Sequence, residues 1–249
     1  MFENIIKNVH NRHPLIHCIT NYVSINDCAN IVLACGGAPI MAEDINEVSQ
    51  ITSICQGLDI NIGMLNDNKL SSMLKAGATA NELGIPVILD PVGAGSSDYR
   101  IKAVQNLMSN VQFGVIRGNV SEIKAIAAKQ GIHNISAGVY DTMQKDKSAM
   151  GVEAGIADKI TDDNIKEMAD FINKLSQKTG AVIAVTGRID MVADENRVYA
   201  IRNGHKMMSL VTGAGCQLSA LTSAYVAADK EHILESVCAA VSVMGISGE

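Results

Sequence analysis

Apolar residues recur along this chain in two rhythms. Segments of strand length rich in apolar residues occupy 15–19, 58–63, 86–90, 111–116 and 181–185. The nearly unbroken runs 86–90 and 181–185 predict strands covered on both faces. Apolar positions at helical spacing predict helices over 2–9, 23–34, 43–56, 68–84, 98–109 and 120–130. Asn119 reads as the N-cap of the last of these. Residues 40–42 form a short strand or strand end, and Thr161, followed by Asp162 and Asp163, predicts a capped helix to residue 178. Residues 191–201 read as a hairpin turning near Glu195-Asn196. Two helices of small residues then reach Met244. The segment 133–159, rich in Gly, Ser, Asp and Lys, predicts loops with short helical pieces.

Strands alternating with helices imply an α/β fold, with a mostly parallel sheet covered on both faces. The late hairpin adds an antiparallel edge. No repeat or linker divides the chain, so a single domain over 1–249 is expected. The sequence stops at Gly248-Glu249, at what reads as the start or middle of a helix, and further residues are expected beyond it.

Composition narrows the function classes. The net charge is −6 with no basic tract, and there is no Trp, so no nucleic-acid partner is expected. No stretch of 18 uninterrupted apolar residues occurs, and 1–12 mixes charged and amide residues. Neither a membrane span nor a secretory leader is therefore expected. Six cysteines without a C-x-x-C pair point to free thiols in a reducing cytoplasm. Cys28, Cys35, Cys55 and Cys238 sit in apolar segments and read as small core hydrophobes, as do His17 and Cys18. His10, His13 and His205 lack metal-ligand spacing.

Candidate chemistry collects where strands end, which is where parallel sheets bind ligands. Asp90 ends one run, Arg117 and Asn119 follow another, and Thr186-Gly187 closes a third. Val211-Thr212-Gly213-Ala214-Gly215-Cys216 then opens a small-residue helix. A glycine turn at a helix start presents free N–H groups at the positive end of the helix dipole, a ready phosphate site. The alternative for this stretch alone is a plain helix start with a buried cysteine. There is no Gly-x-Gly-x-x-Gly after the first strand and no Gly-x4-Gly-Lys-Ser/Thr loop.

The chain resembles the hydroxyethylthiazole kinases, thiamine-pathway enzymes of the ribokinase-like fold. The resemblance rests on the run from Pro14 to Val23, on Gly37-Ala38-Pro39-Ile40-Met41-Ala42, and on Leu89-Asp90-Pro91-Val92-Gly93-Ala94-Gly95. Arg117-Gly118-Asn119-Val120-Ser121-Glu122 and the stretch from Val211 to Cys216 complete it. It implies a three-layer αβα kinase domain that uses ATP and Mg2+ to phosphorylate the alcohol of 4-methyl-5-(2-hydroxyethyl)thiazole.

By the same resemblance Met41 and Gly213 bind the thiazole, with Asn21 of the first motif beside them. Arg117 and Thr186 bind ATP, with Asn119 and Gly215 on the same nucleotide. Glu122 and Asp90 serve the metal and its waters, and a homotrimer places the sites at subunit interfaces. Most ribokinase-like kinases carry aspartate where Cys216 stands. Cys216 is thus either a base for the alcohol or a small group that positions it. Two other readings are a hydroxymethylpyrimidine-type kinase and a ribokinase-like lyase that repairs hydrated cofactors.

Overall fold

The computed structural model describes residues 2–132 and 160–249. The elements run α1 (Phe2–Arg12), β1 (Leu15–Ile19), α2 (Ile25–Ala34), β2 (Ala38–Ile40), α3 (Val48–Ile54) and β3 (Gly57–Asn61). They continue with α4 (Asp67–Glu82), β4 (Val87–Asp90), α5 (Asp98–Asn110), β5 (Val115–Asn119) and α6 (Val120–Lys129). The chain closes with α7 (Ile165–Thr179), β6 (Val182–Thr186), β7 (Asp190–Ala193), β8 (Val198–Ile201), α8 (Ala214–Ala228) and α9 (Ile233–Ser247).

Eight strands form one sheet in the order β2-β1-β3-β4-β5-β6-β7-β8. The first six in that order are parallel, and β7 and β8 add an antiparallel edge. The late hairpin is pinned by Asp194, whose Oδ1 accepts from the backbone N–H groups of Asn196 and Arg197 at 2.8 and 2.6 Å. One face of the sheet buries Ile16, Cys18, Ile88, Val115 and Ala184 against α1, α2, α8 and α9. The other buries Leu58, Ile60, Leu89, Ile116 and Ile183 against the helices from α4 to α7. Coverage on both sides is why β4 and β6 read as nearly unbroken apolar runs.

Three boundaries differ from the sequence pattern. The predicted helix over 43–56 begins only at Val48, because Asp44 Oδ1 captures the Asn46 N–H at 2.8 Å and holds a turn there. That frees Glu43 to pair with Lys69. The run 111–116 is not one strand: the Val111 N–H closes α5 on Leu107, and β5 starts at Val115 and extends to Asn119. Arg117 and Asn119 therefore belong to the strand itself. Thr161 does not cap α7; its N–H donates to Asn164 Oδ1 at 2.8 Å, and the helix starts at Ile165. The expectation for 133–159 falls outside the described residues.

The strand order reverses between β1 and β3, since the chain leaves β1 for β2 on one side and returns to β3 on the other. Their carboxyl ends flank the crevice where open parallel sheets take ligands. Helix α8 starts beside that crevice and runs back under the sheet, buried along its length from Leu218 to Ala228.

Candidate active site

The central parallel strands β1, β3, β4, β5 and β6 each contribute a polar side chain at this edge. Asn21 follows β1, Asn61 ends β3, Asp90 ends β4, Arg117 and Asn119 lie in β5, and Thr186 ends β6. A hydrogen-bonded chain joins them to α8. Asn21 Nδ2 donates to Cys216 Sγ at 3.1 Å and to Asn61 Oδ1 at 3.2 Å. Asn61 Nδ2 donates to Asp90 Oδ2 at 2.7 Å, and Ser219 Oγ donates to the same oxygen at 2.9 Å. Arg117 Nη2 donates to Thr186 Oγ1 at 2.9 Å. Its Nη1 stands 3.5 Å from Asp90 Oδ1, a long contact for an ion pair, and its Nε has no protein partner among the described residues.

Gly213 enters α8 in the left-handed region, with φ at 79°. A Cβ there would stand 2.7 Å from Ser24 Cβ, so both conformation and space call for glycine. Gly213, the N-cap, has no side chain to bond the first turn of α8; the Ala214 N–H turns back to Val211 O at 3.4 Å, and those of Gly215 and Cys216 are left for an anion. Gly215 in that turn lies directly under the Arg117 guanidinium.

The Asn119-x-x-Glu122 spacing is a capping box. Asn119 Oδ1 accepts the Glu122 N–H at 2.9 Å, and Glu122 Oε2 accepts the Asn119 N–H at 2.8 Å. Glu122 Oε1 also accepts the Gly93 N–H at 2.8 Å. Glu122 is 5% exposed. With one lone-pair site of each oxygen taken by backbone, this carboxylate suits the waters of a hydrated cation better than a direct bond. Mg2+ keeps several waters and binds through few carboxylates, so the donor set fits it.

Met41 follows β2, half-buried against the α8 side of the core. His17 holds that strand end: its Nε2 lies 2.8 Å from Ala42 O and its Nδ1 2.9 Å from Thr52 Oγ1. Burial lowers its pKa, so it is a neutral structural imidazole.

Electrostatics of the buried groups are set mainly by desolvation. Burial pushes the Cys216 thiol up, and the Asp90 charge pushes it further, against the donors Ser24, Asn61 and Asn21. Burial raises Asp90, opposed by Arg117, Ser219 and Asn61. Burial and the Asp90 charge raise Glu122. Beside the edge opens a cavity of about 930 Å³ lined by Arg117, Thr186, Arg188, Arg202, Lys206 and Gly215. Four cations around one cavity favour a polyanion. Asp190 also lines it and is raised to about 6 by burial.

The structure thus brings Asn21, Asp90, Arg117, Asn119, Glu122, Thr186, Gly213, Gly215 and Cys216 to one edge of the sheet. Sequence reasoning missed Asn61, although its place at a strand end was the signal used for Asp90. It also missed Lys69, whose buried ammonium donates to Thr20 O, pairs with Glu43 at 2.8 Å and lies 4.5 Å from the centre of the Tyr22 ring. Lys69 ties the turn that carries Asn21 to the turn after Met41.

Comparison with known proteins shows the family. The model of the "HK: Hydroxyethylthiazole kinase family" matches residues 6–249. A hydroxyethylthiazole kinase from Clostridium acetobutylicum is 51% identical over 249 residues, 100% of this chain and 85% of that protein. The structure of a hydroxyethylthiazole kinase protein from Pyrococcus horikoshii superposes with a TM-score of 0.80 at 32% identity, covering 96% of this chain and 81% of that one. A ribokinase-like superfamily protein from Enterococcus faecalis gives 0.60 at 11% identity over 97% of this chain and 79% of that one, a likeness of fold alone. The chain belongs to the hydroxyethylthiazole kinase family.

Proposed function

We propose that this protein transfers the γ-phosphoryl group of ATP to the alcohol of 4-methyl-5-(2-hydroxyethyl)thiazole, giving the thiazole phosphate used to make thiamine. The observation that carries this reading is the meeting, at one helix start, of an open anion site, the Arg117 guanidinium and the Cys216 sulfur. The polyphosphate lies in the cation-lined cavity beside Arg117, Thr186 and Asn119, with its terminal phosphate against the N–H groups of Gly215 and Cys216 at the start of α8. The thiazole lies in the crevice by Asn21, Met41 and Gly213, where the Met41 thioether is a soft surface for a sulfur heterocycle.

The alcohol oxygen attacks the γ-phosphorus, the bond to the bridging oxygen breaks, and ADP leaves with that electron pair. The alcohol proton passes to the Cys216 thiolate. Arg117 and the helix N–H groups stabilise the equatorial oxygens, where charge accumulates in the transition state. Glu122 and Asp90 would hold Mg2+ through its waters, and the ion would neutralise phosphate charge. One domain carries all of this, in a homotrimer that completes the acceptor site at its interfaces. The enzyme works in the cytoplasm; among the described residues no helix is long and apolar enough to cross a membrane.

The test is ADP release with the thiazole alcohol and, separately, with a hydroxymethylpyrimidine alcohol and with hydrated nicotinamide cofactor. ADP formation that depends on the thiazole supports this reading. Turnover of either other substrate without the thiazole overturns it.

A further inference from the structure

A carboxamide beside a sulfur can present its N–H2 or its oxygen, and the two have opposite effects on a thiolate. At Asn21 the choice is fixed by groups that cannot reverse. The Ser24 backbone N–H donates to Asn21 Oδ1 at 3.2 Å, with Ser24 Oγ on the same oxygen at 3.1 Å. The Gly63 backbone N–H donates to Asn61 Oδ1 at 2.8 Å. A backbone N–H is always a donor, so both oxygens are assigned. Asn61 Nδ2 then faces Asp90 Oδ2, and Asn61 Oδ1 faces Asn21 Nδ2. The second hydrogen of Asn21 Nδ2 is left for Cys216 Sγ.

We infer that Asn61 is a positioning residue that locks the Asn21 carboxamide with its N–H2 toward Cys216, making the sulfur a hydrogen-bond acceptor in the resting enzyme. Any proton on the sulfur must then point away from Asn21. A hydrogen bond donated to the sulfur also favours the thiolate over the thiol. The consequence for catalysis rests on the phosphotransfer reading above; the effect on the thiol does not. The other titratable groups around Cys216 are Asp90 at the end of β4, whose charge raises the thiol, and Cys28 on α2, which is itself raised by burial and by its neighbours Asp59 and Cys216, with Arg117 of β5 over neighbouring Gly215. The substitutions below leave these side chains in place.

The test is the pH titration of the Cys216 thiolate, read as ultraviolet thiolate absorbance of the full chain minus that of Cys216→Ala. Asn61→Ala and Asn21→Ala should each lower the thiolate fraction about tenfold or more at a fixed pH below the midpoint, since a hydrogen bond to an ionised group is lost. They should shift the pH profile of kcat the same way and leave the KM for ATP unchanged. Asn61→Leu, which fills the space, replaces Asn61→Ala if that variant does not fold. A titration coincident with wild type in a folded Asn61 variant overturns the inference, even if Asn21→Ala shifts. A wild-type enzyme that fails to phosphorylate the thiazole removes the function while leaving the titration to decide the hydrogen bond.

Discussion

The Arg117 guanidinium lies so close over Gly215 that a Cβ on that glycine would stand 2.8 Å from Nη1 and 2.9 Å from Nη2. The helix itself would welcome alanine, by about 1 kcal/mol. The group displaced is the free end of a flexible side chain, so the fold can yield at little cost. Gly215→Ala should therefore keep or slightly raise the melting temperature while moving the guanidinium off its seat. Its KM for ATP should rise about tenfold, roughly the effect of one lost charged hydrogen bond, with the acceptor KM little changed. An unaltered ATP KM in initial-rate kinetics would remove Arg117 from the nucleotide site.

Gly213→Ala should behave in the opposite way. Its φ of 79° is strained for an L-residue, by about 1–2 kcal/mol, and its new methyl would meet Ser24 Cβ at 2.7 Å. Ser24 holds the oxygen of Asn21, so this variant should lose both stability and turnover. Adding Ser24→Gly removes the steric part, together with the Ser24 Oγ hydrogen bond to Asn21, while the Ser24 backbone N–H still holds the Asn21 oxygen. Chemical denaturation should show partial recovery in the double variant; no recovery would place the whole cost in the backbone.

Much of this architecture was legible before the structure. Strands β4 and β6 lie between helices on both faces, so their sequences carry no polar alternation to confuse, whereas β3 is buried on both faces yet alternates Leu58-Asp59-Ile60-Asn61. Strand β5 was misplaced by several residues because Val111 and Phe113 are apolar yet lie outside the sheet, packed in the core at the end of α5. The polar strand ends of the site were visible as Asp90, Arg117 and Thr186. Asn61 and Lys69 were not, because their roles depend on which side chains the fold sets opposite them. Asn61 needs Asn21 from 40 positions earlier and Asp90 from 29 positions later. Nothing local in the sequence records such pairings.

Asp59 belongs to the same unreadable class. It sits in the middle of β3, fully buried, and neither carboxylate oxygen has a protein partner among the described residues. Burial holds its pKa well above the ordinary carboxylate range, with the Asp90 charge adding to the effect. A raised carboxyl favours the folded state at low pH, and that contribution is lost as pH rises above the unfolded value of about 4 toward the folded one. Asp59→Val should thus stabilise the protein by about 2 kcal/mol or more at neutral pH, since an unpaired buried polar group costs about 1–3 kcal/mol. The gain should shrink as pH falls toward 4. Urea denaturation of both proteins across this range checks the sign; a constant difference would mean that Asp59 is not titrating.

In the proposed reaction Cys216 is the group that takes the alcohol proton. Burial and the Asp90 charge raise its pKa, so the thiol form predominates at neutral pH, and only Asn21, Asn61 and Ser24 pull the other way. A base that must first ionise gives a rate that climbs with pH, about tenfold per unit below its pKa. The kcat for thiazole phosphorylation should accordingly rise from pH 7 toward pH 9 and level off only near the thiol midpoint. Cys216→Ala should lower kcat by roughly 10²-fold or more and flatten this limb, while the KM for ATP stays near the wild-type value. The residual rate should be nearly independent of pH, because what then remains is the stabilisation given by the Arg117 guanidinium and the N–H groups of α8. If instead the wild-type profile is flat above pH 7 and Cys216→Ala retains its turnover, the sulfur only positions the alcohol. The proton then leaves directly to a phosphate oxygen of the bound nucleotide.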